Sequence, residues 1–205
     1  MAALTEMLKT SVGGDTHIDL VTTMPNRYAS FTPDAAEYEE DGNLSIYRVP
    51  VPVHRNKMLD QVRTFSTFFL KAHQIIKDKK YDLIIATSSK LLTGFLGAYI
   101  SRRKKVPLYL DIRDIFLDTL QDVLAKHPLR FFLVPTIRWI ERYTFKRADH
   151  INLVSDGFRK YFVERYGEKS YSFFPNGIDE EFLSYDFRKP DTNELPLISY
   201  VGNIG

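Results

Sequence analysis

The chain has 205 residues, no cysteine and a formal net charge of +2. That length allows one large domain. The absence of thiols excludes disulfides and thiolate chemistry, and so weak a charge excess is no mark of a nucleic-acid partner.

Hydrophobic residues make up 44% and aromatics 14%, enough for a packed core. The five histidines, His17, His54, His73, His127 and His150, are scattered without short ligand spacing. No metal site is expected from them, because zinc sites need clustered ligands. No apolar run approaches the roughly 20 residues of a membrane span. Residues 2–10 read as an amphipathic, charged helix, not an apolar targeting segment, so a cytosolic (cytoplasmic) protein is the default expectation.

Strand and helix patterns then alternate. Ile18 to Thr22 reads as a strand. Met24 to Gly42 has no clear period and is expected to be a long surface loop. A strand follows at Leu44 to Val49. Lys57 to Lys79 places Met58, Val62, Phe65, Phe69, Ala72 and Ile76 at helical spacing. A strand at Asp82 to Thr87 leads into a helix at Lys90 to Lys104, whose basic residues sit where the macrodipole favours them. The next strand is Pro107 to Ile112. Pro128 to Arg147 is helical, and Pro135 should kink or split it. His150 to Ser155 is a strand, Asp156 to Tyr166 a helix capped by Gly167, and Tyr171 to Phe174 a last short strand. Runs such as Leu83-Ile84-Ile85-Ala86 and Ile151-Asn152-Leu153-Val154 suit strands covered on both faces.

This order predicts an α/β fold, a Rossmann-like, doubly wound and mainly parallel sheet. A nucleotide-type domain opens with a strand and a glycine loop, and that first strand is expected to be missing here. Near the other end, Leu197 to Val201 empties into Gly202-Asn203-Ile204-Gly205 with no helix after it. Residues 1–195 are therefore expected to form one N-terminal domain and 196–205 the start of another.

Several short stretches recur in a known order: Pro25-Asn26-Arg27-Tyr28, Tyr81-Asp82-Leu83-Ile84, Asp111-Ile112-Arg113-Asp114, Arg147-Ala148-Asp149 through Ser155, Pro175-Asn176-Gly177-Ile178-Asp179 and Tyr200-Val201-Gly202-Asn203. Together they resemble family 4 glycosyltransferases of the GT-B fold, most closely the bacterial branch that builds O-antigen (lipopolysaccharide) and capsule, including L-fucosamine (N-acetylfucosamine) transferases. The resemblance implies two Rossmann-like domains facing across a cleft. The N-terminal domain receives the acceptor and the C-terminal domain holds a nucleotide sugar, most simply a UDP-sugar. It also implies transfer with retention and without a catalytic metal. Its donor-binding basic pair and glutamate pair belong to the C-terminal domain, so this chain alone is expected to be inactive. The alternative is a non-catalytic α/β binding or interaction domain.

Asp111, Arg113 and Asp114 follow a strand, at the end where open α/β sheets place ligands. A carboxylate there could accept a sugar hydroxyl, and the guanidinium could hold an anion bidentately. The plain alternative is an Asp–Arg ion pair with Asp114 as a helix N-cap. Ser88 offers either an acceptor contact or a cap, and Ser155 either a contact at the donor cleft or a cap. Asn176 and Gly177 are read as a tight turn with φ > 0 at the glycine, and the resemblance sets them near the nucleotide. Gly202 and Asn203 resemble the first diphosphate loop of the donor domain. No catalytic residue is named. Arg138, Arg142 and Lys146 fall on one helical face at i, i+4 spacing. With Trp139 they could meet a membrane surface carrying a polyprenyl-linked saccharide, which would make the protein peripheral at the inner face of the plasma membrane. The alternative is a solvated basic face.

Overall fold

The computed structural model describes residues 16–25, 35–52, 58–88, 91–115, 117, 130–177 and 183, with Met58, Leu59, Gln61 and Ser88 described by their backbone alone. Met1–Phe174 form one compact unit and Pro175–Gly205 a second.

Among the described residues the first unit carries two sheets. In one, β1 (Ile18–Thr23) runs parallel to β3 (Leu44–Val49), with Ile18 opposite Leu44 and Thr23 opposite Val49. β2 (Tyr38–Asp41) pairs antiparallel on the outer side of β3. This strand lies inside the stretch expected to be a loop. Tyr-Glu-Glu-Asp has no apolar face and all four residues are exposed. It is held by backbone pairing at a sheet edge, and its charges discourage further pairing. Gly42 makes the turn into β3 at φ 63°, a conformation in which a Cβ would be strained.

The second sheet is wholly parallel, in the order β4 (Ile84–Ser88), β5 (Leu108–Ile112), β6 (His150–Leu153) and β7 (Ser170–Phe173). Its connections are α2 (Leu91–Lys104), α3 (Arg130–Arg147), and a 3₁₀ turn (Asp156–Phe158) running into α4 (Arg159–Tyr166). The strands proceed in sequence order, so right-handed crossovers set these helices on one face. That face holds the core. Ala86, Leu108, Leu110, Ile112, Ile151 and Leu153 meet Ala98 of α2, Phe145 of α3 and Phe162 of α4. The two apolar runs differ: Leu83 and Ile85 are 47% and 45% exposed, so the first is open on one face, whereas Ile151, Asn152 and Leu153 are all buried.

α1 (Met58–Ile76) precedes β4 and contacts β3 and α2. A polar clamp ties the two sheets together. Lys79 Nζ, between α1 and β4, donates to Asp19 Oδ2 of β1 at 2.7 Å and to Tyr47 Oη of β3 at 2.6 Å. Tyr81 Oη donates to the same Asp19 oxygen at 2.7 Å.

α3 passes through Pro135 as one helix. A proline there removes only the bond to the carbonyl of Phe131, in the first turn and on the exposed side. Gly167, at φ 81°, closes α4 as expected, with its N–H donating to Val163 O at 2.9 Å. The expected helix at residues 2–10 lies outside the described residues.

Candidate functional site

Alternation along β5, β6 and β7 sends the apolar residues to the helices and a polar set to the opposite face. Register places Tyr109, His150 and Ser170 in one row and Asp111, Asn152 and Ser172 in the next. In the first row Tyr109 stacks on His150, ring centroids 5.0 Å apart and 11° from parallel. His150 reaches Ser170 Oγ at 2.8 Å through Nδ1 and Ser172 Oγ at 2.9 Å through Nε2.

The second row is the centre of the candidate site. Asn152 Nδ2 donates to Asp111 Oδ1 at 2.7 Å. Asn152 Oδ1 accepts from Ser172 Oγ at 3.1 Å and from the Phe174 N–H at 3.0 Å. Arg113 Nε donates to Asp111 Oδ2 at 2.8 Å. Asp111 and Asn152 are buried, while the Arg113 side chain keeps 33% of its surface exposed. One asparagine thus fixes a carboxylate, which in turn aims a guanidinium at the carboxyl end of β5. The ion pair set against a binding role in the sequence is present, and it is what orients Arg113. A carboxylate has about four acceptor positions, so these two bonds do not exhaust Asp111.

Ser88 ends β4 opposite Ile112, so its backbone lies at the same sheet end. Asp114 is exposed just beyond Arg113. Ser155, two residues past β6, caps the 3₁₀ turn by accepting from the Gly157 N–H at 3.2 Å, so its capping alternative is realised. Ser88, Arg113, Asp114 and Ser155 therefore stand at or just past the carboxyl ends of three adjacent strands. Asn176 and Gly177 belong to the second unit. Gly177 lacks the positive φ expected of it, since Gly42 and Gly167 are the described glycines in that region. Gly202 and Asn203 lie outside the described residues. Arg138, Trp139, Arg142 and Lys146 are all exposed on α3.

The Arg147-Ala148-Asp149 motif is a splice at the opposite end of the sheet. Arg147 donates to Asp149 Oδ2 at 2.8 Å and to Val106 O at 2.6 Å, and Asp149 accepts from the Leu108 N–H at 2.8 Å. Burial works to raise the Asp149 carboxyl. The Leu108 and Arg147 bonds and the Arg147 and Lys169 charges outweigh it and hold it below its ordinary value.

Sequence reasoning missed Asn152. Its signal was a lone amide in the apolar run Ile151-Asn152-Leu153-Val154, at the register of Asp111. Among the described residues no three His, Cys, Asp or Glu side chains are grouped to hold a metal ion.

The profile of the glycosyl transferase 4-like domain matches residues 13–177. The chain belongs to this family. Its fold is that of the N-terminal domain of GT-B glycosyltransferases. Two solved structures of sucrose-phosphate synthase from Thermosynechococcus elongatus resemble it. One is a shorter form, with a TM-score of 0.57 and 16% identity over 89% of this chain and 86% of that one. The other has a TM-score of 0.60 and 13% identity, over 88% of this chain but 43% of that one. The glycosyltransferase-like domain thus spans less than half of the longer relative. No curated protein matches.

Proposed function

We propose that this domain forms the acceptor side of a retaining glycosyltransferase that moves a sugar from a nucleotide donor, most simply a UDP-sugar, to a lipid-linked saccharide in surface-polysaccharide assembly. The O-antigen and L-fucosamine assignment is the finest form of the proposal and rests on sequence resemblance alone. Nucleotide binding and stabilisation of the leaving diphosphate fall to a second domain, and no catalytic metal is invoked. The observation that carries the reading is the Asp111–Arg113 pair, held by Asn152 at the carboxyl end of a parallel strand, where α/β sheets receive ligands. Asp111 suits a sugar hydroxyl, and Arg113 suits the phosphate that joins saccharide to lipid.

Calorimetric titration of the chain with a polyprenyl-diphosphate-linked saccharide, with UDP and with a UDP-sugar tests this division of labour. The linked saccharide should bind and both nucleotides bind weakly. Arg113→Gln should weaken saccharide binding about tenfold or more, the loss of one charge-assisted contact. Tight UDP binding by this chain, indifferent to Arg113→Gln, would overturn the proposal.

A further inference from the structure

Among the described helices, α3 alone carries large aromatic side chains on its outer surface. Phe131 is 71% exposed, Phe132 76% and Trp139 59%. On a wheel of about 100° per residue, these three share an arc of roughly 120° with Pro135, Arg138, Arg142 and Lys146. All seven are exposed.

The acidic content of this surface is decisive. Glu141 is the only acidic residue of α3, and it is buried on the opposite side, accepting bonds from Tyr161 and Tyr166 of α4. α2, which flanks α3, has no acidic residue at all. It brings Arg102 over the Tyr143 ring at 5.9 Å, and Phe95 within 6.2 Å of Trp139. On the other flank Glu164 of α4 lies 3.9 Å from Lys160 and Glu168 just beyond it 3.4 Å from Arg159, while Asp149, two residues past α3, is taken by Arg147 at 2.8 Å. The outer surface of α2 and α3 is therefore aromatic and cationic without a described counter-charge of its own.

Its direction matters as well. α3 ends at Arg147, three residues before β6 begins, so its last turn lies at the amino end of the sheet. Eighteen residues at about 1.5 Å each span about 27 Å. A five-residue strand covers only about 17 Å. The first turn, with Phe131 and Phe132, therefore overshoots the sheet by roughly 10 Å at the end where Asp111 and Arg113 stand.

We infer that this arc is a docking surface for an anionic lipid bilayer, with α3 lying along the interface. Its aromatics sink below the headgroups and Arg138, Arg142 and Lys146 meet the lipid phosphates. No described helix is long and apolar enough to cross a membrane, so the contact is peripheral. The charge of the arc selects an anionic surface over a neutral one. The overshoot sets the aromatic end beside the acceptor rim, where a lipid-linked saccharide would emerge. The docking stands on the arc itself and does not require the acceptor assignment.

Trp139 is the only tryptophan of the chain, so its fluorescence reports on the arc directly. The chain should co-sediment with vesicles of phosphatidylcholine containing phosphatidylglycerol, and Trp139 emission should shift to the blue. Added salt should reverse both, and pure phosphatidylcholine vesicles should give neither. Arg138→Gln, Arg142→Gln and Lys146→Gln should each lower partitioning about fivefold. Phe131→Ser with Phe132→Ser should abolish the blue shift while leaving the circular dichroism spectrum unchanged, as expected for exposed positions. Equal binding to neutral vesicles, or binding untouched by these substitutions, would overturn the inference. So would concentration-dependent self-association that the Phe131→Ser, Phe132→Ser variant abolishes, because the arc would then cover a second copy. Loss of vesicle binding with saccharide affinity retained would separate this surface from the Arg113 site.

Discussion

Asn152 and Asp111 stand side by side on neighbouring parallel strands, and the amide of one donates to the carboxylate of the other at 2.7 Å. Asn152 is 3% exposed, so its amide cannot turn to water for a replacement partner. Asn152→Ala deletes the donor to Asp111 and the acceptor for Ser172 and the Phe174 N–H together. Stranding buried polar groups in this way should cost about 2–4 kcal/mol. Urea unfolding should show a lower midpoint with an unchanged slope. Saccharide binding should fall with it, since Arg113 loses the fixed carboxylate that aims it. A midpoint equal to that of the parent chain would mean that the amide holds nothing.

The Asp19 clamp predicts a pH dependence. Burial acts to raise the Asp19 carboxyl, but the Lys79 and Tyr81 bonds and the Lys79 and His17 charges hold it below its ordinary value. A depressed carboxyl contributes stability that is complete above the unfolded value near 4 and is lost as pH falls through the folded value. Lys79 is raised: burial lowers it, but its bonds to Asp19 and Tyr47 prevail, so it stays charged throughout that window. Asp19→Asn should therefore destabilise by about 1–2 kcal/mol at pH 7, a modest figure because Lys79 is one-third exposed. The gap between variant and parent should close as pH falls from 5 toward 2. Denaturation at a series of pH values checks this, and a gap of constant size would refute it.

How much of this was legible depended on whether the signal was local. β3 was read with its observed bounds because Leu44, Ile46 and Val49 form a compact apolar pattern between turn residues. β2 was not, because Tyr38-Glu39-Glu40-Asp41 is a strand only through its neighbour. Asp111 and Arg113 were legible from their place after an apolar strand. Asn152 was not, because its partner lies 41 residues away and only sheet register brings the two together. Gly167 was found as a cap, since helix ends are local. The positive φ expected at Gly177 rested on residue type alone, and the backbone there does not adopt it.

Tyr166 and Glu141 give a test of the inner side of α3. Burial first, and then the bond to the Glu141 carboxylate, drive the Tyr166 hydroxyl far above its ordinary value, so it remains a donor at any working pH. Tyr166→Phe removes a donor from a carboxylate that is 2% exposed. The cost should be about 2 kcal/mol, typical of a hydrogen bond to a charged group. Glu141→Gln should then cost less in the Tyr166→Phe background than in the parent, a coupling that a double-mutant cycle measures. Additive losses would show that the two side chains do not depend on each other.

Gly97 sets how closely α2 approaches β4. A Cβ built there would fall 2.4 Å from the Cβ of Ala86 and 3.5 Å from Leu108 Cδ1. Alanine is favoured over glycine within a helix by about 1 kcal/mol, so propensity alone predicts that Gly97→Ala stabilises. Packing predicts the reverse, because the obstructing atom is attached directly to strand backbone and cannot swing aside. Overpacking of this kind costs about 1–3 kcal/mol, and a 2.4 Å contact belongs toward the upper end of that range, so the net effect should be destabilising by about 1–2 kcal/mol. Ala86→Gly vacates the contested space, since the Ala86 Cα would remain at an ordinary 3.8 Å. The double variant Ala86→Gly, Gly97→Ala should therefore recover much of the loss, although a glycine within β4 carries its own entropic cost. Thermal unfolding of the two single variants and the double variant measures the coupling. If Gly97→Ala proves more stable than the parent chain, the helix and strand are farther apart than this contact requires.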